Sequence, residues 1–182
     1  YNTKTRTPTV TVKDSNGNVL NENTDYTVTY DSGRKNVGTY NVKVTLKGKY
    51  SGSKTLSFKI NPADGTNYSY KLSTTSYTYS GGTKTPTATV ISAGGRTLVK
   101  DTDYTVTYAS GRKNVGTYKV TVTLKGNFKG SKTLTFKINP ADGTNYDYTL
   151  SSTSYTYSGG TKTPTVTVVS AGGKTLVKDT DY

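Results

Sequence analysis

The chain has 182 residues and a formal net charge of +13, and it contains no His, Cys, Met or Trp. Without Cys it has neither disulfides nor thiolate metal sites. Without His, and with only 11 Asp and Glu residues, it offers almost no groups for acid–base or nucleophilic catalysis. We therefore expect a protein that is not an enzyme. No apolar run in this stretch is long enough to span a membrane.

The side chains are those of β-strands. Thr, Tyr, Lys, Gly and Val carry most of the sequence, and Thr, Tyr and Val fit the half-buried surface of a pleated sheet. Apolar and polar residues alternate in several stretches, whereas no stretch has the spacing of three and four that marks a helix. The sequence therefore predicts an all-β fold.

A repeat sets the organisation of the chain. Pro8, Pro86 and Pro164 lie in the same context, TPTV, TPTA and TPTV, and each is 78 residues after the one before. Ile60 and Ile138 both lie in the segment FKINPADGTNY. A period of 78 is too long for a solenoid turn and suits a small sandwich domain with its own core.

The clusters of Pro, Gly, Asp and Asn at 61–67 and 139–145 predict short linkers between domains. Residues 1–63 (repeat 1) are then a domain without its first strand, residues 64–141 (repeat 2) a complete domain, and residues 142–182 (repeat 3) the opening part of a third. We expect the chain to be a piece of a longer tandem array.

Seven short segments of repeat 2 alternate in the manner of strands. The tyrosines among them predict rings that are buried near strand ends, with the hydroxyl groups at the rim where they can reach a partner. The number of strands and the turn signals between them predict an immunoglobulin-like β-sandwich. The segments are 68–72, 77–79, 88–90, 98, 104–108, 118–124 and 134–138.

Several motifs of repeat 2 carry a family resemblance. They are Tyr79-x-Gly81, Thr85-Pro86-Thr87, Asp103-Tyr104-x-Val106-x-Tyr108, Asn114-Val115-Gly116 and Gly126-x-Phe128-x-Gly130. The series resembles the tandem immunoglobulin-like repeats of large cell-surface and secreted proteins of Firmicutes. The resemblance implies an extracellular, cell-surface or secreted location in a Gram-positive bacterium, and a role as spacer or adhesive module. It supplies no catalytic residues.

Two functions remain open from the sequence. The first is a structural stalk, because near-identical copies suit a spacer that is lengthened by duplication. Such a stalk could also be part of a filament. The second is an adhesive module that binds a carbohydrate or an anionic polymer weakly and gains by avidity. The expected partners are neighbouring repeats, a cell-wall polymer, a host glycan or like chains in a filament. Nucleic acid is not an expected partner.

Calcium is the one cofactor that the sequence suggests. Asp101 and Asp103 flank a single residue, and Asp142 in the second linker adds a third carboxylate. Such oxygens are the ligands that Ca²⁺ prefers. The alternative is that these short side chains cap the turn that enters the strand at Tyr104.

An intramolecular isopeptide bond is a second hypothesis, because domains of this general type are known to contain one. Lys84 and Asn139 would be the bonded pair, and Asp103 the buried acid that such a bond requires. The alternative is an ordinary solvent-facing lysine, since surface Lys is almost never fully buried.

Two basic turns are candidates for contact with an anionic ligand. The alternative is that they are solvated hairpin tips that discourage strand pairing. The scattered distribution of lysine along the whole chain also fits a soluble, self-repelling surface. The candidate side chains are Arg112, Lys113, Lys125, Lys129 and Lys132.

The ends of the chain do not coincide with the ends of a domain. We expect residues 146–156 to hold the position in repeat 3 that residues 68–78 hold in repeat 2. One alternative is a segment of a long filament. The other is donor-strand exchange, in which the C-terminal part of one chain supplies the first strand of the next.

Overall fold

The computed structural model describes all 182 residues and contains 13 strands and no helix. The all-β prediction is therefore confirmed, with a fold of the β-sandwich type. The strands are β1 Tyr26–Tyr30, β2 Gly38–Leu46, β3 Ser53–Ile60, β4 Ala63–Asp64, β5 Ser69–Leu72, β6 Ser76–Thr78, β7 Ala88–Ile91, β8 Tyr104–Tyr108, β9 Gly116–Leu124, β10 Phe128–Lys129, β11 Ser131–Asn139, β12 Asp147–Leu150 and β13 Val166–Val169.

Repeat 2 contains two facing sheets. One has four strands in the order β6-β11-β9-β8, and the other is the antiparallel pair of β5 and β7. Strands β8, β9 and β11 are antiparallel to one another, whereas β6 runs parallel to β11. The core lies between the sheets, because Val90 of β7 packs in one cluster with Val122 and Leu124 of β9.

The alternation of the sequence places the core residues. Phe136 and Ile138 of β11 and Val120 of β9 are at most 1% exposed, while Thr133, Thr135 and other intervening polar residues point to solvent. Because successive side chains of a strand point to opposite faces, a shift of one residue would exchange the buried and the exposed face. The alternation therefore fixes the register as well as the location of the core.

Two predicted elements differ from the structure. The segment at Leu98 forms only an isolated bridge between Ile91 and Thr97, although Leu98 itself is buried. The basic turn that begins at Lys125, for which the alternative to anion binding is a solvated hairpin tip, is not fully solvated: it includes strand β10, and Phe128 is only 5% exposed. The reason is that the first linker pairs with this turn.

The tyrosines of β8 connect the two sheets of repeat 2. The hydroxyl groups of Tyr104 and Tyr108 each donate a hydrogen bond of 2.8 Å, to the carbonyl oxygens of Ala88 and Pro86 respectively. Those carbonyls belong to the segment that enters β7 on the opposite sheet. Burial raises the pKa of Tyr104 above its ordinary value. This arrangement confirms the expectation that buried tyrosine rings would have bonded hydroxyls.

The same bonds recur in the other copies. In repeat 1, Tyr26 bonds the carbonyl of Val10 at 3.3 Å and Tyr30 that of Pro8 at 2.7 Å, and in repeat 3 Tyr182 bonds that of Val166 at 2.7 Å. Repeat 1 has a three-stranded sheet β1-β2-β3 over a small core of Leu20, Tyr26 and Val44. The tyrosine bonds thus form even where a repeat has fewer strands.

Repeat 3 keeps the opening pair of strands. β12 pairs with β13 in the register of β5 with β7, shifted by 78 residues. The expectation for residues 146–156 is confirmed over Asp147–Leu150. Residues 154–156, the counterparts of β6, form no strand.

We expect Tyr104→Phe to destabilise repeat 2 by about 1 kcal/mol, because it removes one buried hydrogen bond and leaves the Ala88 carbonyl without that partner. Thermal or urea unfolding of the whole chain measures the change. Tyr157→Phe is the control, since the Tyr157 side chain is 93% exposed. Equal stability of the two variants would show that the bond between the sheets contributes nothing.

Candidate functional site

The first linker is a strand of the following repeat and not a loop. After β3 ends at Ile60, the chain passes Asn61 and Pro62 and forms β4, which pairs parallel with β10 of repeat 2. The amide of Ala63 donates to the carbonyl of Asn127, and the amide of Gly65 donates to that of Lys129, both at 2.9 Å. The backbone of the linker is therefore bonded to repeat 2 at the first residue of β4 and at the residue after β4.

A side-chain clamp joins the two repeats at a second place. Asn127 of repeat 2 accepts a hydrogen bond of 2.8 Å from the amide of Val37 of repeat 1 through its Oδ1. Its Nδ2 donates to Oδ1 of Asn36 at 3.2 Å. The equivalent of Val37 in repeat 2, Val115, is 49% exposed, whereas Val37 is half-buried. The contact with repeat 2 accounts for this difference.

An aromatic cluster fills the space between the linker and the clamp. The ring of Tyr1 packs edge-on against Phe128 with a centroid distance of 5.3 Å, and Tyr68 packs against the other side of Phe128 at 6.1 Å. Arg96 lies over the Phe128 ring at 5.6 Å and donates to the Tyr1 hydroxyl at 3.3 Å. Repeat 1 thus contributes a tyrosine to the edge of the core of repeat 2.

Tyr79 is the equivalent of Tyr1, 78 residues later. It packs at the edge of the core of repeat 2 and also lines a groove with Ala141, Tyr146 and Lys174. Lys174 is the equivalent of Arg96. We use the name "the joint" for the contacts that residues 1–3, 36–37 and 61–65 make with the remainder of repeat 2. The second linker has part of the same arrangement.

Charges in the joint are few and locally balanced. The hydroxyl and amide of Thr66 donate to Asp64, and these bonds hold the pKa of Asp64 below its ordinary value, with a further contribution from Lys129. Lys129 Nζ lies 3.6 Å from the Asp64 carboxylate. Burial raises the pKa values of Tyr68 and Tyr70. The joint is thus a region of backbone pairing, aromatic packing and side-chain hydrogen bonds between the two repeats.

Two of the three calcium candidates, Asp103 and Asp142, accept hydrogen bonds from other residues of the chain. Asp103, of which 8% of the side chain is exposed, accepts bonds from Arg96 at 3.2 Å and from the amide of Val99 at 3.0 Å. Asp101 has a positive φ of 64°. Asp142 accepts bonds from the hydroxyl and the amide of Thr144, and these bonds lower the pKa of Asp142. No three acidic side chains come together in a metal-binding group.

The isopeptide candidates lie at two ends of the four-stranded sheet. Lys84 Nζ donates to Ser80 Oγ at 2.7 Å, and Asn139 Nδ2 donates to Ser76 Oγ at 2.8 Å. Both are close to β6. Asp103 precedes β8 at the opposite end, where it is paired with Arg96. The structure therefore does not bring Asp103 to the other two residues.

The candidates for anion binding lie on different surfaces. Arg112 has its guanidinium 5.0 Å from the centre of the Tyr108 ring and donates to the carbonyl of Ala109, and Lys129 is part of the joint. Lys113, Lys125 and Lys132 are exposed. Within one repeat, Arg112 and Lys113 are at the far end of β8 and β9 from the turn that contains Lys125.

Sequence reasoning missed the joint as a site. The equivalents of Asn127 and Arg96 in repeat 1 are Lys49 and Asn18, so neither side chain is repeated there. The pattern therefore gave no sign that Asn127 makes a contact. The exact repetition of FKINPADGTNY was the one available signal, because a freely variable linker has no reason to be repeated without change.

These observations define the class of protein as a tandem array of β-rich repeat domains whose linkers pair with the following domain. Two separate family profiles, both described as the MBG domain, match residues 1–80 and 69–142. The chain is thus similar to MBG domains over most of its length, and such repeat domains occur in extracellular surface proteins. No curated protein matches the chain. The structure has no helix long and apolar enough to cross a membrane.

We expect Gly65→Ala to destabilise the joint by about 1–3 kcal/mol through overpacking. A Cβ at Gly65 would overlap Leu124 Cδ1 and lie 2.7 Å from the Tyr70 hydroxyl oxygen. The measurement is the unfolding free energy of repeat 2 together with amide hydrogen exchange at Ala63 and Gly65.

Gly143→Ala is the matched control at the equivalent position of the second linker. There the nearest atom to an added Cβ is the Tyr148 hydroxyl, at 3.1 Å, and the smaller overlap should cost less. The account of the joint would be wrong if the two variants were destabilised equally.

Proposed function

We propose that this chain is part of a stalk of an extracellular or cell-surface protein, in which successive repeats set length and stiffness. The joint is the observation that carries the proposal. A flexible linker of Gly and Ser would leave neighbouring domains free to rotate, whereas here the linker is paired as β4 with β10. The proposed role is structural and not catalytic.

Stiffness requires more than one contact, because a single contact acts as a hinge. In the joint, three segments of repeat 1 meet residues 127–129 of repeat 2, through the β4–β10 pairing, the Asn127 clamp and the contact of Tyr1 with Phe128. A change in the angle between the repeats would have to break at least one of these contacts. Rotation of repeat 1 about the linker would break the two bonds of Asn127.

The finer parts of the proposal rest on the sequence. The resemblance to immunoglobulin-like repeats supports that variant of the sandwich, and it supports a Gram-positive cell surface as the location. The match to MBG domains supports an extracellular setting in general. An array of this kind would hold a terminal domain at a distance from the cell, alone or within a filament.

Adhesion is the second candidate. The exposed side chains of Lys113, Lys125 and Lys132 favour it, since they recur in an array and would contact an anionic polymer or a glycan with avidity. Binding of the two-repeat chain to immobilised anionic glycans, weakened by added salt, would support this candidate over a spacer.

Asn127→Ala should loosen the joint, because each of the two lost hydrogen bonds contributes about 0.5–1.5 kcal/mol. Small-angle X-ray scattering of the chain measures the effect as a broader distribution of maximum dimensions. Asn36→Ala should give a smaller change of the same sign, since it removes only the bond to Nδ2.

The control is Asn114→Ala. Asn114 is the equivalent of Asn36 in repeat 2, and it lies outside the joint. Its substitution should leave the scattering unchanged. The stalk proposal would fail if the unsubstituted chain already scattered as two freely rotating bodies.

A further inference from the structure

A pocket of about 350 Å³ lies at the joint, with walls from both repeats. Residues 1–3 form the wall that repeat 1 supplies. The other walls are Ala63, Tyr68, Phe128 and the turn that contains Arg96. Ligand sites are concave regions of roughly 300 Å³ or more, lined by aromatic rings and a few polar groups. The pocket therefore has the size and the lining of a site for a small ligand.

Neither end of the chain creates this pocket, because it recurs at the second linker with a volume of about 380 Å³. Residues 76–78 precede Tyr79 there, and they pair with β11 without lining the groove. By the repeat relation, a segment before Tyr1 would run along β3 and not into the pocket. The second groove has no residue equivalent to Phe128, and the first contains Phe128 without being filled by it.

Two tyrosine rings form the apolar part of the pocket. Tyr1 and Tyr68 are half-buried and pack against opposite sides of Phe128, which is only 5% exposed. This packing holds both rings in place. The face of an aromatic ring carries partial negative charge, whereas the C–H groups of a sugar ring carry partial positive charge. Tyrosine rings held in this way are suited to stacking against a sugar.

Polar groups beside the rings have unused hydrogen-bonding capacity. The Tyr68 hydroxyl forms no hydrogen bond within the chain, in contrast to the hydroxyl of Tyr104. At the tip of the turn, the amides of Ala93 and Gly94 likewise have no acceptor in the chain. Each hydroxyl of a sugar can donate and accept. A sugar ring would therefore satisfy several of these groups at once.

Arg96 adds fixed donors without adding net charge. A guanidinium has five N–H groups, and two of those of Arg96 donate, one to the Tyr1 hydroxyl and one to the Asp103 carboxylate. The Arg96 side chain is 44% exposed, so its other N–H groups are accessible. Asp103, at 3.2 Å, orients the guanidinium and balances its charge. A site with balanced charge favours a neutral ligand over an anion.

The same residue types recur at the second linker. Tyrosines again hold both aromatic positions, and the turn has the identical sequence SAGG. Lys174 and Asp181 replace Arg96 and Asp103, and both line the groove. The array would thus have weak sites at regular intervals, which bind a polymer of sugars with avidity.

We propose that the pocket at the joint binds a neutral pyranose unit of a glycan. The sugar ring stacks on Tyr1 or Tyr68, and its hydroxyls bond the Tyr68 hydroxyl, the free amides of the turn and Arg96. This site goes beyond the stalk function, because a spacer needs no ligand. It also differs from adhesion through exposed lysines, because it has little net charge. A ligand that contacts both repeats would stabilise the joint.

Amide chemical shifts in nuclear magnetic resonance test the site directly. The isotope-labelled chain is titrated with the methyl glycosides of glucose, galactose, mannose and N-acetylglucosamine, and with methyl glucuronide as an anionic comparison. We expect at least one neutral glycoside to shift the amides of Ala93 and Gly94 with a millimolar Kd. Added salt should change this Kd by less than about twofold, whereas binding through exposed lysines would weaken strongly.

Tyr68→Phe tests the hydroxyl without removing a hydrogen bond of the chain, so the variant should fold normally. The shifts of Ala93 and Gly94 should then give a Kd about fivefold higher, the effect of one lost hydrogen bond. Tyr50→Phe is the matched control. Tyr50 is also half-buried and has no bonded hydroxyl, but it lies outside the pocket, and its counterpart in repeat 2 is Phe128.

Three outcomes would overturn the proposal. The first is that no neutral glycoside shifts the amides of Ala93 and Gly94 at tens of millimolar. The second is that Tyr68→Phe and Tyr50→Phe bind equally well. The third is a response to the glucuronide alone that salt abolishes, which would assign the ligand to exposed cations. The scattering experiment tests the stalk function separately, so a failure of sugar binding would leave that function standing.

Discussion

The hydrogen bonds from the tyrosine hydroxyls to backbone carbonyls of the opposite sheet are the interaction on which each repeat depends. A domain of this size buries few aliphatic side chains, and the Val, Leu and Ile side chains in its clusters are few without the aromatic ones. A tyrosine adds a large apolar ring, but its hydroxyl must be bonded when the ring is buried. Tyr104 meets both needs, since its ring lies in the core and its oxygen bonds Ala88. The bond also fixes the distance between the sheets.

Small cores make neighbouring repeats important to one another. A joint that adds Tyr1 to the edge of the core of repeat 2 increases the apolar area that repeat 2 buries, and it couples the stability of the two units. In linear arrays of this kind, the total free energy of unfolding is close to the sum of the stabilities of the single repeats and of the contacts between neighbouring repeats. The same contact therefore serves both the stability of the domain and the stiffness of the stalk.

The strand β5 is as important to repeat 2 as the tyrosine bonds. Tyr70 and Leu72 of β5 pack against the cluster that contains Val90 and Val122, and both valines are 0% exposed. This face of the core is therefore closed by a strand in which apolar and polar side chains alternate.

The sequence by itself determined the all-β fold, the period of 78 and the faces of the strands, because these depend on local alternation and on exact repetition. It also predicted that buried tyrosines would have bonded hydroxyls. Only the tertiary structure decided which groups meet across the joint. The pairing of Ala63 with Phe128 and the clamp between Asn127 and Val37 join residues far apart in the chain, and the motif Gly126-x-Phe128-x-Gly130 does not indicate which residues they contact. The separation of Asp103 from Lys84 and Asn139 was likewise decided by the strand order β6-β11-β9-β8, which local alternation does not reveal.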